Sequence, residues 1–577
     1  MNNYLFLFTI GPVQSFIAQA RKTKDLFAGS QILSDLIEEA INALIKMEPQ
    51  SEIIFPGKGI PSKPNRFIAI IDNPEMIGKN LESIIRNSFR EKVLKDIKDD
   101  FKNINDEKLN FHANSFLEIY WNAIPIENNS YNAHEYTRLE KELGEFKNAR
   151  IFNQWEINSE KNRKCSICGE RDNLVIKEKQ LPNTISIKND FRFEEGEGLC
   201  GICLYKRIYK VSSDSQSFDS TAEIATMDSI EYLLKNEKDI FLSYKNQIQS
   251  QFFDSQLLFE ENLNRDYFKK QKKEPLIPNL NQLQKELKEI NKKLEKAKLK
   301  FQKYYAIIVF DGDNMGKWLS GNNNLLKEDV PLKDFHKSLS ECLGNFAKDC
   351  KDFLKNPNGR SVYAGGDDFL GFINLSYLIK SLNYFYESFD KLINLPLKSY
   401  LKENQKLSFS AGIAVAHYKT PLSEVINSAR VMEKEAKSID ITKDAFAITI
   451  LKHSGERQSC KLHWNDLKDS SNISKIEEIV QSLQTEKFSN TFMQNIVQEF
   501  KKLISKDKNE SLNKIVTAEI DRLVERAYLL KEDKKENSEK LSKVVKDLYL
   551  YNDLNSKNPN NFFSVLGIAD FLRKHKN

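Results

Sequence analysis

Apolar runs of strand length recur in two stretches of this chain, near its start and again from residue 304, and helical spacing fills most of the remainder. Tyr304–Phe310 is a continuous apolar and aromatic run, which predicts a buried strand. Ser361–Ala364 and Phe369–Ile373 predict the arms of a β-hairpin, with Gly365 and Gly366 giving the turn its backbone freedom. Leu407–Ala416 predicts a further strand, Pro421–Ser438 a helix with proline at its start, and Ala445–Lys452 a last strand. Counting the helical stretches between them, the order is strand, helix, two hairpin strands, helix, strand, helix, strand. That is a ferredoxin-like βαββαβ core with an added unit.

The first 150 residues repeat the same order. Tyr4–Thr9 predicts a strand, and Pro12–Met47 is helical in two pieces broken near Gly29. Glu52–Phe55 and Arg66–Ile71 predict strands, Pro74–Phe101 a helix and Ser115–Ala123 a strand. The turn between the middle strands, Pro56–Asn65, has no carboxylate. This copy is therefore expected to support or to hold substrate. Farther on, Ser212–Ser220 has the composition of a linker. Leu283, Leu287, Ile290, Leu294 and Phe301 mark a helix whose apolar face suits either a short coiled coil or packing on its own domain. From Ile473 onward helical spacing persists among lysines and glutamates. The expected architecture is α+β and multidomain, with a degenerate ferredoxin-like domain over 1–150 and a cysteine-bearing helical domain over 151–300. A second ferredoxin-like domain follows over 301–455 and an all-α domain over 456–577.

The chemistry concentrates at two acidic turns. The strand at 304–310 runs into Asp311-Gly312-Asp313-Asn314, and the hairpin tip is Gly365-Gly366-Asp367-Asp368. Adjacent carboxylates repel, and a divalent cation removes the repulsion; an all-oxygen site suits Mg²⁺ or Mn²⁺. Either turn alone reads as an acidic strand end. Together they supply carboxylates from separate elements, as phosphoryl transfer with metal ions about 3.5–4 Å apart requires. Asp311, Asp367 and Asp368 are the candidate catalytic residues and metal ligands, with Asp313 supporting. The segments Ser410-Ala411-Gly412-Ile413-Ala414 and Ala436-Lys437 follow in the order seen in diguanylate-cyclase-type palms. That resemblance suggests that Lys437 meets a triphosphate; a solvated helix lysine is the alternative.

Composition narrows the class. The chain has 577 residues, 29% charged and 40% hydrophobic, with a formal net charge of +5, which describes an ordinary soluble protein. There is no run of about 20 apolar residues, so no membrane span or membrane partner is expected. The start lacks a basic region and cleavage site, so a cytoplasmic location is expected. Of seven cysteines, four form Cys165-x-x-Cys168 and Cys200-x-x-Cys203, the spacing at which thiolates converge on one tetrahedral, structural Zn²⁺. None of the seven histidines precedes an aspartate, so a His-Asp nuclease has no seed here. No Gly-x-x-x-x-Gly-Lys-[Ser/Thr] loop is present, so ATP would be held by metals and the Gly-Gly turn.

The blocks Gly11-Pro12-Val13-Gln14-Ser15-Phe16-Ile17 and Ala20-Arg21-Lys22-Thr23-Lys24-Asp25-Leu26 precede the cysteine pairs and both acidic turns. In that order the chain resembles the large palm-domain subunit of type III CRISPR effector complexes, in the Cmr (III-B) branch. The resemblance implies two facing palms, a zinc-bearing domain between them and a helical C-terminal domain. It implies partnership with other Cmr-type subunits, guide crRNA and target RNA. Target binding would switch on synthesis of cyclic oligoadenylate from ATP, or of ATP joined to S-adenosylmethionine. Gly312, Asp313, Asn314, Gly365, Gly366 and Lys437 would then contact ATP. Arg21–Lys24 would touch RNA or a second nucleotide, or form a solvated face. Longer members carry an HD nuclease domain for single-stranded DNA, which this sequence is expected to lack. A silent scaffold subunit and a free-standing diguanylate-type cyclase remain the alternatives.

Overall fold

The computed structural model describes residues 3–57, 60, 63–149, 163–180, 184–188, 192–210, 220–249, 252–322, 324–466, 468–485, 487–489, 491–503, 510–555 and 559–577. Most of the linker expected at Ser212–Ser220 lies outside them; Ser220 itself caps the helix Thr221–Asn236.

Four antiparallel strands form the first sheet: β1 (Asn3–Gly11), β2 (Glu52–Phe55), β3 (Arg66–Ile71) and β4 (Glu118–Ile126), in the order β2-β3-β1-β4. This is the ferredoxin-like arrangement. Alternation along β1 sends Leu5 and Leu7 to one face and Phe6, Phe8 and Ile10 to the other. Both sets are apolar, so both faces must be covered. The helices Thr23–Met47 and Pro74–Asp100 cover the phenylalanine side. The helix Ala133–Asn148 covers the other through Tyr136, Leu139 and Leu143.

The helical segment after β1 breaks elsewhere than expected. It divides into Gln14–Ala18 and Thr23–Met47, and the second helix runs straight through Gly29. Glycine stands there for space: a Cβ would lie 3.2 Å from Lys206 Cδ and 3.4 Å from Ile17 Cα.

The cysteine segment adds β5 (Val175–Lys177), β6 (Ile185–Ile187) and β7 (Gly198–Leu199), in the order β6-β5-β7. It packs into the core on the phenylalanine side of the first sheet, where Cys165, Cys200 and Cys203 join Phe16 and Phe89. Residues 220–301 build a separate helical core. There Leu283, Leu287, Ile290 and Leu294 of the helix Leu280–Lys296 meet Leu233, Phe241 and Tyr244. That stripe is thus filled within its own domain.

The second sheet has six strands: β8 (Tyr304–Gly312), β9 (Gly359–Ala364), β10 (Asp368–Asn374), β11 (Phe409–His417), β12 (Ala445–Leu451) and β13 (Arg457–His463). Their order is β13-β12-β11-β8-β10-β9, so β11-β8-β10-β9 reproduces the ferredoxin-like order, and β12 lies parallel to β11. β13 corrects the expected boundary at 455: Arg457–His463 pairs antiparallel with β12 and belongs to this sheet rather than to the helical region. Ala306, Ile308 and Phe310 face one core, and Tyr305, Ile307 and Val309 the other. Phe310 stacks on Phe369 with ring centroids 4.7 Å apart. Each fully buried aromatic of this kind contributes about 1.5–3 kcal/mol relative to exposure. Both cores also contain residues of the first sheet, so the two sheets are packed into one body. The helices Asn472–Gln484, Phe492–Leu503, Glu510–Ala527, Lys534–Asn555 and Pro559–His575 complete the chain.

Candidate functional site

Antiparallel pairing places Asp368, the first residue of β10, directly opposite Asp311 near the end of β8. Paired residues share a face, so both carboxylates emerge on the Tyr305–Val309 side of the sheet. The hairpin tip is tied to β8 because the Gly312 amide donates to the Asp367 carbonyl at 3.0 Å. The two glycines of the tip have different reasons. Gly366 has φ +110°, which L side chains rarely adopt. Gly365 makes room for its neighbour: a Cβ there would fall 1.7 Å from the Tyr363 hydroxyl.

The helix Leu422–Lys437 lies over this face. Gly412 lets it approach, since a Cβ at that position would come within 2.1 Å of the Ala429 carbonyl oxygen and the Glu433 nitrogen. The close approach brings Lys437 onto Asp311, with which it forms an ion pair, while Lys437 Nζ also lies 2.9 Å from Glu433 Oε1. Glu433 and Lys437 are one turn apart, so counting back four residues from the lysine would have found the glutamate.

The electrostatics are those of crowded carboxylates. Burial, then Asp311 and Asp367 beside it, pushes the Asp368 carboxyl up to about 8. Burial and Asp311 also raise Asp367, opposed by Arg66 of β3. Burial pulls the Lys437 ammonium down, but Asp311 and Glu433 outweigh it and hold the group at about 12. Opposed oxygen donors whose charges resist coexistence suit a hard divalent cation. Asp311, Asp367 and Asp368 are therefore the residues that could hold one.

Asp313, the expected supporting ligand, has a hydrogen-bond set of its own. It is 1% exposed, and its Oδ2 accepts from the hydroxyls of Ser408 and Ser410 at 2.9 and 3.0 Å and from the Asp444 amide at 3.1 Å. Three donors to one oxygen tie the carboxylate to the start of β11 and to the residue before β12. Its Oδ1 has no hydrogen-bond partner among the described residues. Asn314 takes a left-handed conformation with φ 55° and starts the short helix Met315–Leu319.

A cleft of about 400 Å³ opens above Asp311 and Asp368, lined also by Tyr363, Arg430 and Glu433. Its opposite wall is Val13, Gln14 and Ile17 of the first domain. Arg430 links the walls by donating to the Gln14 carbonyl at 3.4 Å. Sequence reasoning singled out the Gly11–Ile17 block without assigning it to this wall, because contact across 400 residues of chain leaves no local pattern. The basic segment Arg21–Lys24 is partly engaged: Lys22 donates to the Arg192 carbonyl, and Arg21 lies 3.9 Å from Glu197.

The four cysteines of the second candidate site converge, with all sulfurs within 4.8 Å of one another. The first knuckle turns through Gly169, φ +67°, whose amide donates to the Cys165 carbonyl. The second opens the helix Gly201–Ile208, with Cys200 as its cap. Ser166 and Gly198 join the two: the Ser166 amide donates to the Gly198 carbonyl at 2.8 Å, and the Gly198 amide donates to the Ser166 hydroxyl oxygen at 3.0 Å. Burial raises the Cys200 thiol, so a cation must displace protons to bind. Four soft sulfurs at this separation fit tetrahedral Zn²⁺.

Residues 304–447 match the family description Cas10/Cmr2, second palm domain, and residues 5–58 match CRISPR-associated protein Cmr2, N-terminal. The CRISPR system Cmr subunit Cmr2 of Pyrococcus furiosus is 26% identical over 569 aligned residues, covering 79% of this chain and 62% of that protein. The chain thus spans less than two thirds of that relative's length. Among solved structures, the type III-B Cmr-β apo state by cryo-EM superposes with a TM-score of 0.65 at 15% identity, over 92% of this chain and 78% of that one. The Cmr-β structure bound to cognate target RNA gives 0.61 at 15% identity, over 92% and 79%. Both share the fold. Among the described residues no helix is long and apolar enough to cross a membrane.

Proposed function

The chain belongs to the Cmr2 family, and from that membership we propose that it is the palm-bearing subunit of an RNA-guided type III-B CRISPR effector complex. In this reading it assembles with other Cmr subunits and guide RNA, and pairing with target RNA switches on nucleotide synthesis. The substrate is ATP and the product is a cyclic oligoadenylate, or ATP joined to S-adenosylmethionine. The observation that carries the proposal is the Asp311–Asp368 pair, with Asp367 beside it, at the mouth of a cleft walled by both ferredoxin-like domains.

Asp311 and Asp368 are assigned to holding Mg²⁺ or Mn²⁺, with Asp367 in support. Ions held there would lower the cost of deprotonating a 3′-hydroxyl and would neutralise charge on the phosphates. Lys437 exchanges Asp311 for the triphosphate, and Arg430 adds a second positive charge on the same wall. Gly365 and Gly366 leave the hairpin backbone open to phosphate. Gly312 and Asn314 shape the turn under the nucleotide, and Asp313 supports the metal ligands while its Oδ2 holds the start of β11 to the residue before β12. The functional division is a supporting palm over 1–150, a zinc-bearing and helical region over 151–300, a catalytic palm from 301 through His463, and a helical remainder.

The test is to incubate the assembled, target-bound complex with labelled ATP, with and without S-adenosylmethionine, and to identify products by mass spectrometry. Asp367→Ala combined with Asp368→Ala is expected to abolish product while assembly and target binding persist. Removing both carboxylates relieves mutual repulsion, so folding is expected to be neutral or slightly improved. Wild-type turnover by a stable double variant would leave the scaffold role as the better reading.

A further inference from the structure

The cysteine site and the nucleotide cleft are joined by two buried cations. The helix Gly201–Ile208 carries Cys203 in its first turn and Lys206 and Arg207 one turn later. Neither cation reaches solvent, with exposures of 0% and 1%. Lys206 Nζ donates to the Phe16 carbonyl at 2.6 Å and to the Gln19 carbonyl, and sits 4.6 Å from the Phe16 ring centre. Those carbonyls belong to the short helix Gln14–Ala18 and to its C-cap. Gln14 and Ile17 of that helix line the cleft over Asp311 and Asp368.

A five-residue helix cannot hold itself in water, because nucleation costs more than one turn returns. The Ser15 and Ala18 carbonyls accept from the amides of Gln19 and Ala20, and the Lys206 ammonium supplies the donor for Phe16 and for the Gln19 cap. Gly29 keeps the path of the lysine stem open. Arg207 fixes the next turn by gripping Asp25 with two bonds of 2.6 and 2.9 Å. Asp25 in turn accepts from the amides of Arg21 and Lys22, so residues 19–22 are pinned from both sides. The N-terminal sequence block is thereby built around cations that the zinc-ligand helix presents.

We infer that Lys206 is a positioning residue for the nucleotide cleft, transmitting the fold of the four-cysteine module to the wall formed by Gln14 and Ile17. The inference rests on the reading of that cleft as the ATP site. Cys200 and Cys203, which would hold a metal ion together with Cys165 and Cys168, frame the turn from which the helix starts and so set the place of Lys206.

Lys206→Met keeps the aliphatic stem and removes the ammonium. In the assembled complex we expect zinc content by elemental analysis to be unchanged and amide hydrogen exchange over residues 13–20 to accelerate at least about tenfold. The KM for ATP should rise about tenfold with kcat within about twofold, the pattern of binding lost equally from the ground and transition states. Wild-type exchange over 13–20 would overturn the inference, and so would accelerated exchange with an unchanged KM. Failure of the wild-type complex to turn over ATP would overturn the nucleotide reading instead, a different result from the exchange measurement. Should Lys206→Met not fold, Gly29→Ala crowds the same stem with the charge retained, and the same two outcomes decide.

Discussion

Asp311 and Asp368 face each other as a direct cross-strand pair, and the Lys437 ammonium forms an ion pair with Asp311. Two like charges directly opposite on a sheet destabilise it. The lysine offsets that repulsion from the helix above, at the position where a divalent ion would be useful. The site therefore holds a competition between an ammonium and a metal for one carboxylate.

That competition predicts opposite effects at Lys437. Lys437→Met should strengthen binding of Mn²⁺ alone, by about 3–10-fold, because Asp311 loses its resident partner. The same variant should weaken ATP binding, because one positive charge near the triphosphate is gone. Isothermal titration with each ligand separately reads both. Weaker Mn²⁺ binding would show that the lysine organises the carboxylates rather than competing for them.

The pH dependence follows from Asp368. Burial and its acidic neighbours hold its carboxyl at about 8 in the folded chain, against an ordinary value of 3.8. A raised folded value means that stability present below the unfolded value is lost as pH rises through the folded one. Asp368→Asn removes that loss, so its melting temperature should gain on wild type between about pH 4 and pH 8, by about 1 °C for each kcal/mol recovered in a chain of this length. Binding of Mg²⁺ must displace the proton below pH 8, so affinity should climb up to that pH and level above it. A flat stability difference across the range would contradict the assignment.

Gly412 tests the placement of the helix. A methyl at this position would meet backbone atoms at 2.1 Å, which no side-chain rotation relieves. Gly412→Ala should cost about 1–3 kcal/mol or more through overpacking. Because the displaced helix carries Glu433 and Lys437, turnover should fall at least about tenfold in protein that still folds. Thermal melting and product formation, measured together, check it.

The cysteine site makes a compositional prediction. Purified protein should contain one zinc ion per chain, bound by Cys165, Cys168, Cys200 and Cys203. Cys168→Ser should lose most of it and lower the melting temperature, since a closed tetrahedral site contributes its binding energy to folding. Elemental analysis that finds no zinc in fresh wild-type protein would sink this.

Much of the architecture follows from local pattern. The run Tyr304–Phe310, the Gly-Gly turn and the helix after Pro421 are each specified by residues close in sequence, because strand alternation, turn conformation and helix starts are short-range preferences. The cysteine pairs were legible for the same reason: metal-ligand spacing is a local constraint. Tertiary structure decided what those pieces face. Asp313 is a candidate ligand by pattern, and only the folded sheet brings Ser408 and Ser410 at the start of β11 and the Asp444 amide before β12 onto its oxygen. Gly29 looked like a break, yet it is a notch for a lysine far along the chain. Arg457–His463 lies beyond a glycine turn and resembled the start of the helical region, and only its pairing with β12 assigns it to the sheet. Periodicity encodes which face of an element is buried. It carries no record of the partner, because a contact energy depends on distance in space and not on separation in sequence.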